Sequence, residues 1–233
     1  MEAWIGSSGF SYKAWKGPFY PADLPDKEML HHYGNRLPAV EMDSTFYRMP
    51  KRAVLESWAE QTPQRFRFAI KASRRITHFA RLKDAEEPMS FLMKNVQILG
   101  DKLGCVLFQL PPFLKKDLAL LEDFLPLIPA DVPAAFEFRN KSWFDDDVVA
   151  CLRSRNISQC FSDTEKTDGD ELIGSANWGY LRLRKPSYTE EEVAVWSDRI
   201  RKMGWERVFV FFKHEDEGTG PRLAGRFLEL AGG

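Results

Sequence analysis

AVEMDSTFYR, residues 39–48, is the stretch whose reading decides the fold. Val40 and Met42 alternate with Glu41 and Asp43, a period of two that sends apolar side chains to one face of a strand and carboxylates to the other. A strand covered on both faces ordinarily reads as a continuous apolar run. Two acids inside such a strand call for a polar space on the far side, and the same device recurs in the strand patterns that follow.

Upstream, Ala3–Ser8 is a short apolar strand ending in GSSG. The loop FSYKAWKGPFYPADLP comes next, stiffened by Pro18, Pro21 and Pro25, and then a helix over Lys27–Asn35 with Asp26 as its N-cap. Downstream the pattern gives a helix over Lys51–Gln61 and a strand over Arg65–Ser73. RRITHFARLKDAEEP is basic and reads as loop and turn, followed by a helix over Pro88–Leu99. Strands over Cys105–Leu110, Ala134–Arg139 and Ile157–Asp163 alternate with helices over Asp117–Leu127 and Asp145–Ser154. Thr164–Asn177 lacks helical period, so one crossover helix is missing or degenerate. A strand over Trp178–Arg184, a helix over Thr189–Met203 with a Thr189–Glu192 capping box, a strand over Arg207–His214 and a helix over Pro221–Leu230 complete the chain.

Eight strands alternating with helices predict a parallel α/β sheet closed into a (β/α)8 TIM-like barrel. GSSGFS after the first strand is neither a dinucleotide fingerprint nor a phosphate loop, which disfavours an open doubly wound sheet. With no repeat and no linker, residues 1–233 read as a single barrel domain.

On the helix-facing side of a barrel strand the residues must be apolar, so alternating polar residues face the lumen or lie at strand ends. That rule assigns Glu41, Asp43, Lys71, Ser73, Gln109, Glu137, Arg139, Asp163, Arg182, Arg184 and Lys213 to the lumen, near the carboxyl ends of their strands. Barrel active sites sit at that end. Unpaired buried charge costs several kcal/mol per ion, so such a set exists either as a paired network or as a solvated pocket.

Composition narrows the classes. Lys plus Arg is 33 against 34 Asp plus Glu, and a formal charge of -1 gives no global field for a polyanion. No run approaches the ~18 apolar residues of a membrane span, and there is no basic, then apolar, leader. Cys105, Cys151 and Cys160 are scattered, which suits reduced thiols in a cytoplasm. His31, His32, His78 and His214 are not at metal-ligand spacing, so neither metal nor cofactor is expected. Magnesium on Glu41, Asp43 or Asp163 is the one exception the residue types leave open.

IGSSGFSYKAWKGPFYP, VEMDSTFYR, FAIKASRRITH, GCVLFQLPP and AFEFRNKSWF, in this order, resemble the YecE-like family, domain of unknown function 72, across nearly the whole chain. The resemblance implies a TIM-barrel-like fold and brings no established activity with it. Three places depart from the family's usual pattern: Asp43 where Asn is common, Arg184-Lys185 where a His-Gly pair is common, and Lys213-His214 in place of an aromatic-plus-Asn ending. A substrate shared with other members is not implied.

Glu41 and Glu137 are the acid/base candidates, with Asp163 a further carboxylate and Lys71 an amine nucleophile if desolvated. Arg139, Arg182, Arg184 and Lys213 suit a clamp for phosphate or carboxylate, since a guanidinium fork binds both oxygens of such groups. Asp43 and Gln109 complete the lumen's contribution to substrate binding. Tyr12, Trp15, Tyr47 and Trp143 form an aromatic rim that either stacks on a ligand or staples the loops down. The leading expectation is a metal-independent enzyme binding a small anionic substrate, phosphorylated or carboxylated, at the barrel mouth. The alternative is a nucleic-acid-associated protein or nuclease using the aromatic and basic rim. Glycoside hydrolysis by Glu41 and Glu137 ranks third, and an ion-pair network without chemistry stays open.

Overall fold

The computed structural model describes residues 1–167 and 171–232. Its strands are β1 (Glu2–Ser8), β2 (Ala39–Met42), β3 (Arg67–Lys71), β4 (Leu103–Gln109), β5 (Ala134–Glu137), β6 (Ser158–Gln159), β7 (Phe161–Asp163), β8 (Trp178–Leu183) and β9 (Arg207–Phe212). All pairings are parallel, in the order β6-β5-β4-β3-β2-β1-β9-β8-β7. β6 and β7 are halves of one stave broken at Cys160, whose amide still donates to the Phe136 carbonyl at 2.8 Å. β6 pairs with β5 and β7 with β8, so the ring passes through this broken stave and an eight-stave barrel nearly closes.

The helices are α1 (Met29–Gly34), α2 (Arg52–Gln61), α3 (Glu86–Val96), α4 (Leu118–Phe124), α5 (Asp146–Arg153), α6 (Glu190–Lys202) and α7 (Thr219–Ala231). Among the described residues no helix joins β7 to β8, where the sequence lacks helical period. Asp117 caps α4 by accepting from the Leu120 amide, and the Thr189–Glu192 capping box opens α6. Asp26 does not cap α1, contrary to expectation: it lies in a 3-10 turn and pairs with Lys16 at 2.8 Å. A buried lysine that periodicity does not flag closes α2, because Lys102 Nζ donates to the Thr62 carbonyl at 2.6 Å and to that of Ala59.

Two apolar cores sit on either side of the strands. The outer one, between strands and helices, takes Ile5, Val40, Phe68, Phe108, Phe136, Leu181 and Phe212. The inner one plugs the lower lumen with Ala39, Ala69, Cys105, Leu107, Ala135 and Cys160 facing Trp178, Tyr180, Phe209 and Phe211. Small side chains on β2 to β6 make room for the rings of β8 and β9, so the lower lumen is packed solid and only the upper end is left for charge. The three cysteines are free, and among the described residues no helix is long and apolar enough to cross a membrane.

Strand β1 reaches its neighbour closely because Gly6 has no side chain. A Cβ there would lie 1.8 Å from the Ala39 carbonyl oxygen and 2.7 Å from the Tyr33 hydroxyl, which itself donates to that carbonyl. The carbonyl cannot retreat without disturbing the β1–β2 ladder, nor the hydroxyl without losing its bonds to the Ser7 amide and the Ala39 carbonyl. Gly6→Ala is therefore expected to cost at least ~1–3 kcal/mol, the range of an overpacked core. Urea unfolding checks this, and an unchanged midpoint would show that β1 and β2 are not pressed together here.

Candidate functional site

At the upper end of the lumen the strands deliver charge. Arg182, fully buried on β8, lies at the centre. Its Nε and Nη2 donate to Glu41 Oε1 at 3.1 and 2.7 Å, and its Nη1 donates to Glu137 Oε2 at 2.8 Å. Nη2 also reaches Asp43 Oδ1 at 3.3 Å. Glu41 receives two more donors, the Ser8 hydroxyl at 2.5 Å and the Tyr180 hydroxyl at 2.6 Å. Glu137 accepts from the Gln109 amide at 2.6 Å and from Arg139 Nε at 3.2 Å, with Arg184 Nη1 at 3.8 Å.

Above this floor lies a second layer. Asp43, in the 3-10 turn that follows β2, pairs with Lys71 at 3.2 Å and with Lys213 at 3.4 Å. The Thr45 hydroxyl contacts both the Met42 and Lys71 carbonyls, at 2.6 and 2.8 Å, tying that turn to the end of β3. The tie holds the Phe46 ring 4.5 Å from Lys71 Nζ, with His78 packed edge-on against the same ring. Asp43, Arg139, Arg184 and Lys213 keep part of their side chains exposed, whereas Glu41, Glu137 and Arg182 keep none of consequence.

The electrostatics follow this layering. Burial pushes the Glu137 carboxyl up, but Arg182, Arg139, the Gln109 amide and Arg184 outweigh it and bring it from its ordinary 4.5 down to about 2. Asp43 is likewise held below its ordinary value, burial being outweighed by Arg182, Lys71 and Lys213. Burial lowers the Lys71 ammonium below its usual range, and Asp43 opposes this only in part. His78 is lowered too, by burial and then by the like charges of Lys71 and Arg139.

The structure thus brings together Glu41, Asp43, Lys71, Gln109, Glu137, Arg139, Arg182, Arg184 and Lys213. Tyr12 joins at the edge, its hydroxyl on the Ser8 carbonyl at 2.9 Å and its acidity suppressed by burial and by Glu215, Asp43 and Glu41. Asp163 does not join. Phe161, two residues earlier, packs against Trp196 of α6, so Asp163 shares the helix-facing side and accepts from the Tyr188 hydroxyl at 2.7 Å. Trp15 and Trp143 are not ligand-facing either. Trp15 is buried against Tyr12 and Tyr20 and donates to the Glu215 carbonyl; Trp143 is buried, stacks on Phe138 at 4.8 Å and donates to that of Leu114. Both staple loops to the barrel. Tyr47, by contrast, is exposed on the rim.

Two roles change with this geometry. The Arg182 fork is saturated by carboxylates, so it cannot clamp an incoming anion. Glu41 and Glu137 are bridged by that one guanidinium, which leaves no space between them for the water or sugar that glycoside hydrolysis needs. Among the described residues no group of three or more His, Cys, Asp and Glu forms a metal-ligand cluster; of the carboxylates considered for magnesium, Glu41 and Asp43 are both paired with Arg182 and Asp163 lies apart from them. Sequence reasoning missed Ser8 and Tyr180, and placed His78 near the mouth without giving it a role. Tyr180 was within reach of the alternation rule, being two residues before Arg182 on the same strand, but a tyrosine reads as core.

A family model described as protein of unknown function DUF72 matches residues 4–233. The chain belongs to the DUF72 family. The UPF0759 protein YunF of Bacillus subtilis is 34% identical over 253 aligned positions, covering 91% of this chain and 89% of YunF. UPF0759 protein YecE of Escherichia coli O157:H7 is 28% identical over 141 positions, covering 58% of this chain and 52% of YecE. The crystal structure of a DUF72 family protein from Thermotoga maritima superposes with a TM-score of 0.86 at 23% identity and full coverage of both chains, and shows the same fold. Asp43 and Lys213, two of the places where the sequence departs from the pattern the resemblance implies, are partners in space at 3.4 Å.

Two measurements follow from this charge arrangement. Arg182→Met should cost about 3–5 kcal/mol, because it strands buried carboxylates without a counterion; a smaller loss in urea unfolding would mean that the carboxylates take up protons or water easily. The Glu137 shift sets an acid limb. A carboxyl whose folded value lies below its unfolded one contributes stability above pH 4.5 and loses it as pH falls toward 2. Glu137→Gln should be less stable at neutral pH yet lose less on acidification through that window, as read from unfolding midpoints at successive pH values.

Proposed function

We propose that this DUF72 protein binds a small anion, a phosphorylated or carboxylated compound, at the carboxyl-end mouth of its barrel. The observation that carries the reading is the charge imbalance of the lumen. Five cations, Lys71, Arg139, Arg182, Arg184 and Lys213, face three carboxylates, Glu41, Asp43 and Glu137, an excess of two positive charges in a chain of formal charge -1. Arg182 consumes most of the negative charge at the floor. Arg139, Arg184 and Lys213 remain partly exposed above it, each with only a long or single contact to a carboxylate. Cations with solvent access and spare N–H donors are what an oxyanion needs.

The reaction we favour is proton transfer on the bound anion, without a metal, by the Asp43–Lys71 pair rather than by Glu41 and Glu137. Asp43 and Lys71 lie at 3.2 Å and border the mouth, and burial holds the Lys71 ammonium below its usual range, which makes it the readier proton donor of the cations there. The metal-independent reading rests on Arg182, which already neutralises the carboxylates that would otherwise attract a cation. The three unpaired cysteines fit a reducing compartment such as the cytoplasm.

Removing the reachable cations tests the site. In a thermal-shift series with inorganic phosphate, sugar phosphates and dicarboxylates, the wild type should be stabilised by at least one class. Arg139→Ser combined with Arg184→Ser should weaken that binding about tenfold or more, the equivalent of ~1.4 kcal/mol, and leave the ligand-free protein folded. A wild type that responds to none of these anions sinks the reading.

A further inference from the structure

The mouth continues outward into an ordered track of alternating cations and rings. From Lys71 the side chains run Phe46, Tyr47, Arg74 and Phe79, each within 4.5 to 5.5 Å of the next measured between ring centroids or from charge to centroid. Arg81 continues the pattern over Phe113 at 5.6 Å. Tyr47, Phe79, Phe113 and Phe144 are exposed by 68%, 66%, 62% and 51%, one in each of the loops that follow β2, β3, β4 and β5. Large rings left in water on four successive loops of one rim recur by position, unlike single apolar residues scattered over a surface.

Charge accompanies the rings. Residues 43–51, 72–85, 110–117 and 138–145 together hold ten lysines and arginines against four aspartates, although the chain as a whole is nearly neutral. The loop after β3 is built to present its part: a π-helical turn spans Arg75–Phe79, and Arg81 (φ 54°) and Leu82 (φ 69°) take left-handed backbone with Leu82 buried as an anchor.

Resting on the proposed anion site, we propose that the track binds a single-stranded oligonucleotide, its terminal phosphate in the cationic lumen and its bases stacked on Tyr47, Phe79 and Phe113. Exposed rings spaced along a basic groove are how proteins hold unpaired bases without reading their sequence. A duplex hides its base faces and gains nothing from these rings.

Fluorescence anisotropy at low salt, with internally labelled twelve-residue oligothymidylate carrying a 5′-phosphate, a 3′-phosphate or neither, tests this. One phosphorylated end should bind at least tenfold more tightly than the unphosphorylated strand, and a duplex of matching length should bind more weakly than both. Tyr47→Ala and Phe79→Ala, both at exposed positions, should each weaken the phosphorylated strand about tenfold and leave the thermal shift with inorganic phosphate unchanged. Inorganic phosphate bound but no oligonucleotide bound overturns this inference alone. Equal affinity with and without a terminal phosphate overturns the placement of that phosphate in the lumen and with it this inference, while the anion reading stands or falls on the thermal shift with inorganic phosphate. Duplex binding as tight as single-strand binding, or indifference to both alanine variants, overturns the stacking.

Discussion

One guanidinium holds the upper barrel together. Arg182 binds carboxylates from β2 and β5 at once, so a single side chain links strands on different sides of the ring. A buried ion pair is no gain in itself, since desolvating the charges offsets much of the attraction. What the arrangement fixes is position: Glu41, Asp43 and Glu137 are each given one geometry, and every contact above them inherits it. The packed aromatic plug beneath, Trp178, Tyr180, Phe209 and Phe211, closes the other route by which water would relax these charges.

This divides the lumen by depth. At the floor, Glu41 and Glu137 are buried and have their oxygens filled by Arg182, Ser8, Tyr180, Gln109 and Arg139, so neither presents a free oxygen toward the mouth. Asp43 and Lys71 sit one layer higher, where desolvation still shifts the lysine but solvent still reaches the pair. The proposed proton transfer falls to that upper layer, and the most deeply buried carboxylates are the ones that hold it in place.

The barrel was legible because its signal is periodic and long. Alternation in residues 39–43, 66–71, 105–110, 134–139 and 178–184 left one assignment of inner and outer faces, and the absence of a helix before Trp178 among the described residues showed as missing period. Asp163 went astray where the stave breaks at Cys160 and the strand pattern is too short to carry a phase, and it is the register with Leu183 of β8 and the contact of Phe161 with Trp196 that reveal which side is outer. Trp15 and Trp143 were misplaced for another reason. A loop tryptophan has the same composition whether its indole faces a ligand or donates to a backbone carbonyl, and only tertiary packing decides. The saturation of Arg182 was equally invisible, because residue type states how many donors exist and not how many are spent.

The mouth is also uneven around its circumference, and that bears on what approaches it. The loops after β2 to β5 are basic and ring-bearing, whereas the loop after β9 carries Glu215, Asp216 and Glu217 in succession. A field of opposite sign on the two halves of one opening turns an anionic ligand before it arrives, favouring entry across the basic half and repelling it from the acidic one. Of the reachable cations, Arg139 follows β5 on the basic half, so the proposed anion would be drawn in from that side and not along the acidic edge. A near-zero net charge therefore says little about this protein's partners; the separation of its charges across the barrel mouth says more.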